Sequence, residues 1–286
     1  MDPRRGRGIR PGPVIDPETP SHVIAAPDGT QIAIFTTGSG PPLLLVHGAS
    51  ADHTTFRVVD PLLARRYTVH AMDRRGRGAS GDVEPYAVER EFEDVAAAAE
   101  VIARDAGAPV AVIGHSFGGR VALGAALRSA AIRAVVCYEG APPAEEERYQ
   151  PVGSEARVSE RLAAGDTDGA LATFLREIVG MSEDDLARYR ADPIWPRRAE
   201  AAHTIVRELD AEVSPEASLD ALGGVRQPVL QVLGGASRPA FRLATEALDA
   251  RLANGRIVVI DGAKHAAHHT HPDRFVDAVA AFVDGI

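Results

Sequence analysis

The sequence predicts an α/β fold, a mostly parallel central sheet flanked by helices with a helical insertion. Three observations carry that prediction. Short apolar, often β-branched runs alternate with segments of helical spacing along most of the chain. The chemically distinctive clusters fall at the carboxyl ends of those runs, where open parallel sheets keep their sites. The alternation stops between residues 141 and 215, where only helical segments occur, and then resumes.

In chain order, residues 1–20 are rich in Pro, Gly and Arg without periodicity, which predicts a disordered tail. Stretches 22–26 and 31–36 around Pro27-Asp28-Gly29-Thr30 predict a hairpin. Leu43-Leu44-Leu45-Val46 is a continuous apolar run, as expected of a parallel strand buried on both faces, and it ends in His47-Gly48-Ala49-Ser50. A strand over 67–72 ends in Asp73-Arg74-Arg75-Gly76-Arg77-Gly78-Ala79-Ser80, and a helix over 88–106 follows. Strands over 110–113 and 132–138 come next, the second ending in Glu139-Gly140. The insertion 141–215 reads as a helical cap, with helices over about 154–165, 169–180, 182–189 and 199–209. Strands over 228–233 and 256–260 and helices over 238–252 and 272–283 complete the pattern. The α/β core is thus 21–140 together with 216–286.

Bulk properties narrow the function. With 286 residues, 45% hydrophobic and 25% charged, the composition is that of an ordinary globular chain. A net charge of -9 without a basic cluster in the folded portion argues against nucleic acid as a partner. No apolar run approaches a membrane span, so no membrane partner is expected. Arg4-Arg5 is followed by Gly, Arg and Pro and not by the apolar core of a signal sequence, so the reading is cytoplasmic. Cys137 is the only cysteine, which forbids an intramolecular disulfide and a Cys-based zinc site. Lys264 is the only lysine, a codon preference more than a functional sign.

The chemical centre is Gly114-His115-Ser116-Phe117-Gly118, set between a buried strand and a helical segment. Strand, Gly-x-Ser-x-Gly and helix is the context of a nucleophile elbow. A serine on so tight a turn needs neighbours two positions away that lack side chains. Its hydroxyl is lifted clear of the sheet, with a helix N-terminus behind it that favours developing negative charge.

Taken together, His47-Gly48, Asp73-x-x-Gly76-x-Gly78-x-Ser80, Gly114-His115-Ser116-Phe117-Gly118-Gly119 and Gly262-x-x-His265 resemble the α/β-hydrolase superfamily over nearly all of residues 21–284. The resemblance implies a Ser–His–acid hydrolase with a cap over its mouth. Ser116 is then the nucleophile. His265, after the last strand and before the final helix, stands where the family keeps its catalytic base. The oxyanion hole is expected from the backbone N–H groups of Ala49 and Phe117. His47 is a further candidate for contact with substrate, although bracing its own loop by hydrogen bonding is the stronger reading of a strand-end histidine; His115, beside the nucleophile, is another. Asp73 with Arg75 reads as a charged strand end pairing with its own loop. His268, His269 and His271 lack carboxylate or cysteine companions at ligand spacing, so no metal and no cofactor are expected.

The acid departs from the commonest family pattern, an aspartate after the strand that follows the cap. Here that strand ends in Gly234-Gly235-Ala236-Ser237-Arg238-Pro239, without a carboxylate. The superfamily has a second solution, seen in some haloalkane dehalogenases and lipases, with the acid after the preceding strand. Glu139 closes that strand, and a carboxylate at the end of an apolar run is costly without a partner. Asp220 and Asp261 are the other candidates.

In the cap, Trp195 with Phe174, Ile178 and Met181 is expected either to wall an apolar acyl pocket or to pack the cap helices together. The function read from this is hydrolysis of a small to medium carboxylic ester, lactone or thioester, with a small-molecule substrate as partner and a homodimer allowed. Two other classes fit the fold: a lyase, cyclase or perhydrolase using the same serine and histidine, and a silent receptor, which would have no need of a strained elbow. Dehalogenase chemistry needs a carboxylate where Ser116 stands.

Overall fold

A computed structural model describes residues 19–144 and 151–286. The tail expected over 1–20 therefore lies outside the described residues except for its last two, as do residues 145–150 of the insertion. Eight strands form one sheet: β1 (His22–Ala25), β2 (Gln31–Gly38), β3 (Pro42–Val46), β4 (Thr68–Met72), β5 (Val110–His115), β6 (Ile132–Tyr138), β7 (Val229–Gly234) and β8 (Gly255–Ile260). Their order is β1-β2-β4-β3-β5-β6-β7-β8. The hairpin β1–β2 and the β2–β4 pairing are antiparallel, and every other pairing is parallel.

The apolar strands serve both faces at once. In β3, Leu44 and Val46 join one core layer while Leu43 and Leu45 join the other, all fully buried. Each such side chain contributes about 1.5–3 kcal/mol of burial. Helices α1 (Asp60–Leu63), α2 (Val88–Ala106) and α3 (Phe117–Ala126) follow β3, β4 and β5. In α2, Glu89 and Glu91 open the helix and Gly107, at φ 66°, ends it, so charge and cap agree with its direction.

Between β6 and β7 come α4 (Ser154–Ala163), α5 (Thr167–Thr173), α6 (Glu183–Arg190), α7 (Trp195–Glu200), α8 (Ile205–Ala211) and α9 (Leu219–Leu222), with no strand among the described residues. Two sequence expectations change here. The helix expected over 169–180 begins earlier, capped by Asp166, and widens into a π-helical turn over Phe174–Val179 before Gly180. The helix expected over 199–209 is α7, a 3-10 turn and α8; α7 starts at Trp195 because Pro196 is tolerated in a first turn. Helices α4 to α8 share their own apolar cluster, including Leu171, Leu186, Trp195 and Ile205, whereas Leu219 and Leu222 of α9 join the core of the sheet. α10 (Pro239–Asp249), α11 (Ala267–Thr270) and α12 (Pro272–Val283) complete the chain, α10 packing with α2 and α3 on one face and α12 with α1 on the other.

The inserted helices meet the core through ions. Asp52 pairs with Arg197 and Arg198 of α7 at 2.9 and 2.8 Å. Glu208 of α8 takes Arg74 at 2.7 Å and also Arg77. Arg238, after β7, donates to the Ile178 carbonyl. No helix of the described residues is long and apolar enough to cross a membrane.

Candidate active site

Ser116 sits between β5 and α3 at φ 55°, ψ -128°. The turn is so tight that a Cβ on Gly114 would lie 2.3 Å from the Gly118 carbonyl oxygen, so only glycine fits there. Among the described residues, the non-glycine residues with positive φ are Ser50, Ser116 and Glu139, and all three border the cavities described below. Backbone strain is thus gathered at one place, as at functional sites generally.

Glu139 follows β6 directly, its carboxylate fully buried. Oε2 accepts Nδ1–H of His265 at 2.5 Å. Oε1 accepts the Gly234 N–H at 2.7 Å and the Ser237 hydroxyl at 2.5 Å. The carboxylate is therefore satisfied on both oxygens without a cation, and His265 is fixed in the tautomer whose Nε2 is free to accept. Its ring stacks flat on Phe241, with centroids 4.6 Å apart. Tyr138 pins the histidine loop, donating its hydroxyl to the Lys264 carbonyl and accepting the Ala267 N–H at 2.8 Å. Nε2–H of His115 donates to the His265 carbonyl at 2.8 Å. Ser116 and His265 face the same hollows and, among the described residues, share no hydrogen bond; such bonds tighten on substrate binding.

The loop after β3 closes over the serine. A Cβ on Gly48 would come 2.9 Å from Ser116 Cβ, so glycine is what lets the loop approach. The N–H groups of Ala49 and Phe117 donate to no acceptor among the described residues. Both residues border the niche with Ser116, and free N–H donors there are what an oxyanion requires.

Two hollows meet at Ser116. One is a cavity of about 630 Å³ under the inserted helices, walled by Phe174, Leu175, Met181 and Tyr189. The other is a niche of about 50 Å³. His115, His268 and His269 border the larger one. Burial pushes His115 and His268 well below the usual histidine range, the neighbouring imidazoles His265 and His115 adding to it. Burial, with Arg57 next, brings His269 down to about 4. These rings stay neutral near pH 7.

Several expectations are corrected. His47 is not at the wall of either hollow: it is fully buried, donates Nδ1–H to the Gly48 carbonyl at 2.9 Å and accepts the Arg74 N–H at 3.0 Å. It braces the loop and lines neither hollow. Trp195 packs within the insertion, edge-on to Tyr189, and donates Nε1–H to Asp168 at 2.6 Å; it lines neither hollow. Phe174, Ile178 and Met181 do line them. Asp73 does not pair with Arg75; it accepts the His53 and Ala79 N–H groups, while Arg75 holds Asp94 and Asp28. Asp220 pairs with Arg251, and Asp261 is exposed beside Arg274, so neither reaches His265.

Sequence reasoning missed Arg74. Its guanidinium grips Glu91 with two bonds, reaches the His47 and Gly48 carbonyls, and ties the oxyanion loop to α2 and α8. The only signal was a run of charge at the end of a buried strand. Asp52, His53 and Asp73 are grouped closely enough to share a metal ion, but Asp52 is taken by two arginines and Asp73 by N–H donors.

A profile described as the alpha/beta hydrolase family matches residues 43–278. Pimeloyl-[acyl-carrier protein] methyl ester esterase of Aeromonas hydrophila subsp. hydrophila is 28% identical over 260 residues, covering 88% of this chain and 99% of the esterase. Polyketide synthase ThaQ of Burkholderia thailandensis is 28% identical over 279 residues; the match takes in 92% of this chain but only 13% of the synthase. The crystal structure of an alpha/beta hydrolase from Sphaerobacter thermophilus DSM 20745 has a TM-score of 0.76 and 31% identity, covering 90% of this chain and 100% of the other.

Proposed function

The chain belongs to the alpha/beta hydrolase family and is a hydrolase, and from that premise we propose that Ser116, His265 and Glu139 form a triad that cleaves a carboxylic ester, lactone or thioester. The observation that carries the reading is the 2.5 Å bond from His265 to a buried carboxylate, at the hollow that Ser116 also faces. The esterase among the relatives supports an ester as the bond cleaved.

In this mechanism His265 Nε2 takes the Ser116 proton as Oγ bonds to the acyl carbon. The carbonyl electron pair moves onto oxygen, where the Ala49 and Phe117 N–H groups receive it. The imidazolium is held by Glu139, whose charge is worth most in this poorly solvated place. Nε2–H then protonates the leaving oxygen or sulfur as its bond to the acyl carbon breaks. Water, activated by the same nitrogen, releases the acid and restores Ser116. The helical insertion 141–215 acts as the cap over this site and supplies apolar wall to the cavity.

An organophosphonate probe read by intact mass tests the assignment. The wild type should gain a single adduct, and Ser116→Ala, folded by circular dichroism, should gain none. A wild type that is neither labelled nor active on any activated ester overturns the proposal.

A further inference from the structure

The two hollows at Ser116 differ more than tenfold in volume, about 50 against about 630 Å³. From their placement we infer that the substrate is an ester of a short acyl group, two to four carbons long, with a bulky and mainly apolar leaving group. The inference rests on the triad reading and gives each half of the substrate a side.

Sidedness follows from the proton's path. His265 Nε2 must touch both Ser116 Oγ and the leaving oxygen, so the leaving group departs along the histidine loop. His265 itself borders both hollows, but the rest of its loop, including Lys264, Ala266 and His268, borders only the large one. Phe117, Gly140 and Ala141 border only the niche. At a tetrahedral carbon the acyl branch points away from the leaving oxygen, which places it in the niche.

The niche is short for two reasons. Its volume holds roughly three or four water-sized groups. Its wall also carries buried charge: Arg120 and Glu208 are 3% and 2% exposed, and Arg120 Nε and Nη1 and Glu208 Oε2 have no hydrogen-bond partner among the described residues. Glu212 lies 3.4 Å from Arg120 Nη1. A longer methylene chain would be pressed onto buried ions it cannot satisfy. The large cavity adds Leu175, Met181 and Tyr189 to Phe174 and Val179, which both hollows share.

Benzyl acetate and methyl phenylacetate are isomers that exchange the large and small halves across the ester, so they separate the two orientations. The full chain should hydrolyse benzyl acetate with a kcat/KM at least about tenfold higher. Leu209→Ala, or Ile205→Ala if the first does not fold, opens the niche and should raise the relative rate on methyl phenylacetate severalfold. Equal or reversed preference overturns the inference, as does a Ser116 that takes the phosphonate while neither ester is cleaved. If neither ester is cleaved and no phosphonate adduct forms, the triad reading falls and the inference with it.

Discussion

The floor and the roof of the cavity are held by different forces. The floor is the sheet edge, where Ser116 and Glu139 ride on β5 and β6, strands buried on both faces by apolar contact. The roof is the inserted helices, whose seam with the core runs through Asp52 with Arg197 and Arg198, and Arg74 and Arg77 with Glu208. Apolar packing is non-directional and indifferent to pH, so it tolerates change that keeps volume. A buried ion pair is partner-specific, and removing one member strands the other. Change at the floor should therefore alter chemistry with little loss of fold, and change at the seam the reverse.

The largest expected effect is at the floor. Glu139→Gln keeps the shape but loses the charge facing the imidazolium, and kcat should fall by about four powers of ten with an unfolding midpoint near that of the wild type. Adding Ser237→Asp, whose side chain already touches the same place, should recover part of the loss. A Glu139→Gln enzyme that keeps most of its activity would remove Glu139 from the triad.

At the seam, Asp52→Asn leaves Arg198, 2% exposed, without its ion, and should cost about 3–5 kcal/mol at pH 7. The Asp52 carboxyl, which burial alone would raise, is held far below its usual range by Arg198. Its contribution is therefore full above about pH 4 and is lost as pH falls towards the depressed native value. Denaturant titrations of both proteins should show the gap closing in acid; a gap unchanged at pH 3 would mean that charge is not what holds the seam.

Trp195→Ala is the mildest. It removes packing inside the insertion and the bond to Asp168, so roughly 3 kcal/mol of stability should go. Relative rates across ester substrates should stay as they were. A shifted substrate preference would return Trp195 to the cavity wall.

The same contrast explains what was legible in the sequence. Strand runs such as Leu43 to Val46 announce themselves because burial on two faces demands continuous apolar residues. Glu139 stood out as a carboxylate at the end of such a run, and the structure sets it against His265. The seam left no such mark. Arg74 and Glu208 are 134 positions apart, and nothing periodic links them. Trp195 shows the limit for single residues: bulk between two prolines signals burial, but its direction depends on Asp168 and Tyr189, which only the folded insertion brings near. His47 is similar, since a strand-end imidazole reads alike whether it faces a substrate or its own loop.

The turn after β7, which holds no carboxylate, has a consequence for modularity. Ser237 there steadies Glu139, while Arg238 clasps the π-helical turn of the insertion through the Ile178 carbonyl. The acid is anchored in one strand and the latch for the roof in the next. Exchanging the insertion for that of another member of the family would call for refitting the latch at Arg238 and the seam ions, leaving the proposed proton path from Ser116 to Glu139 in its own frame.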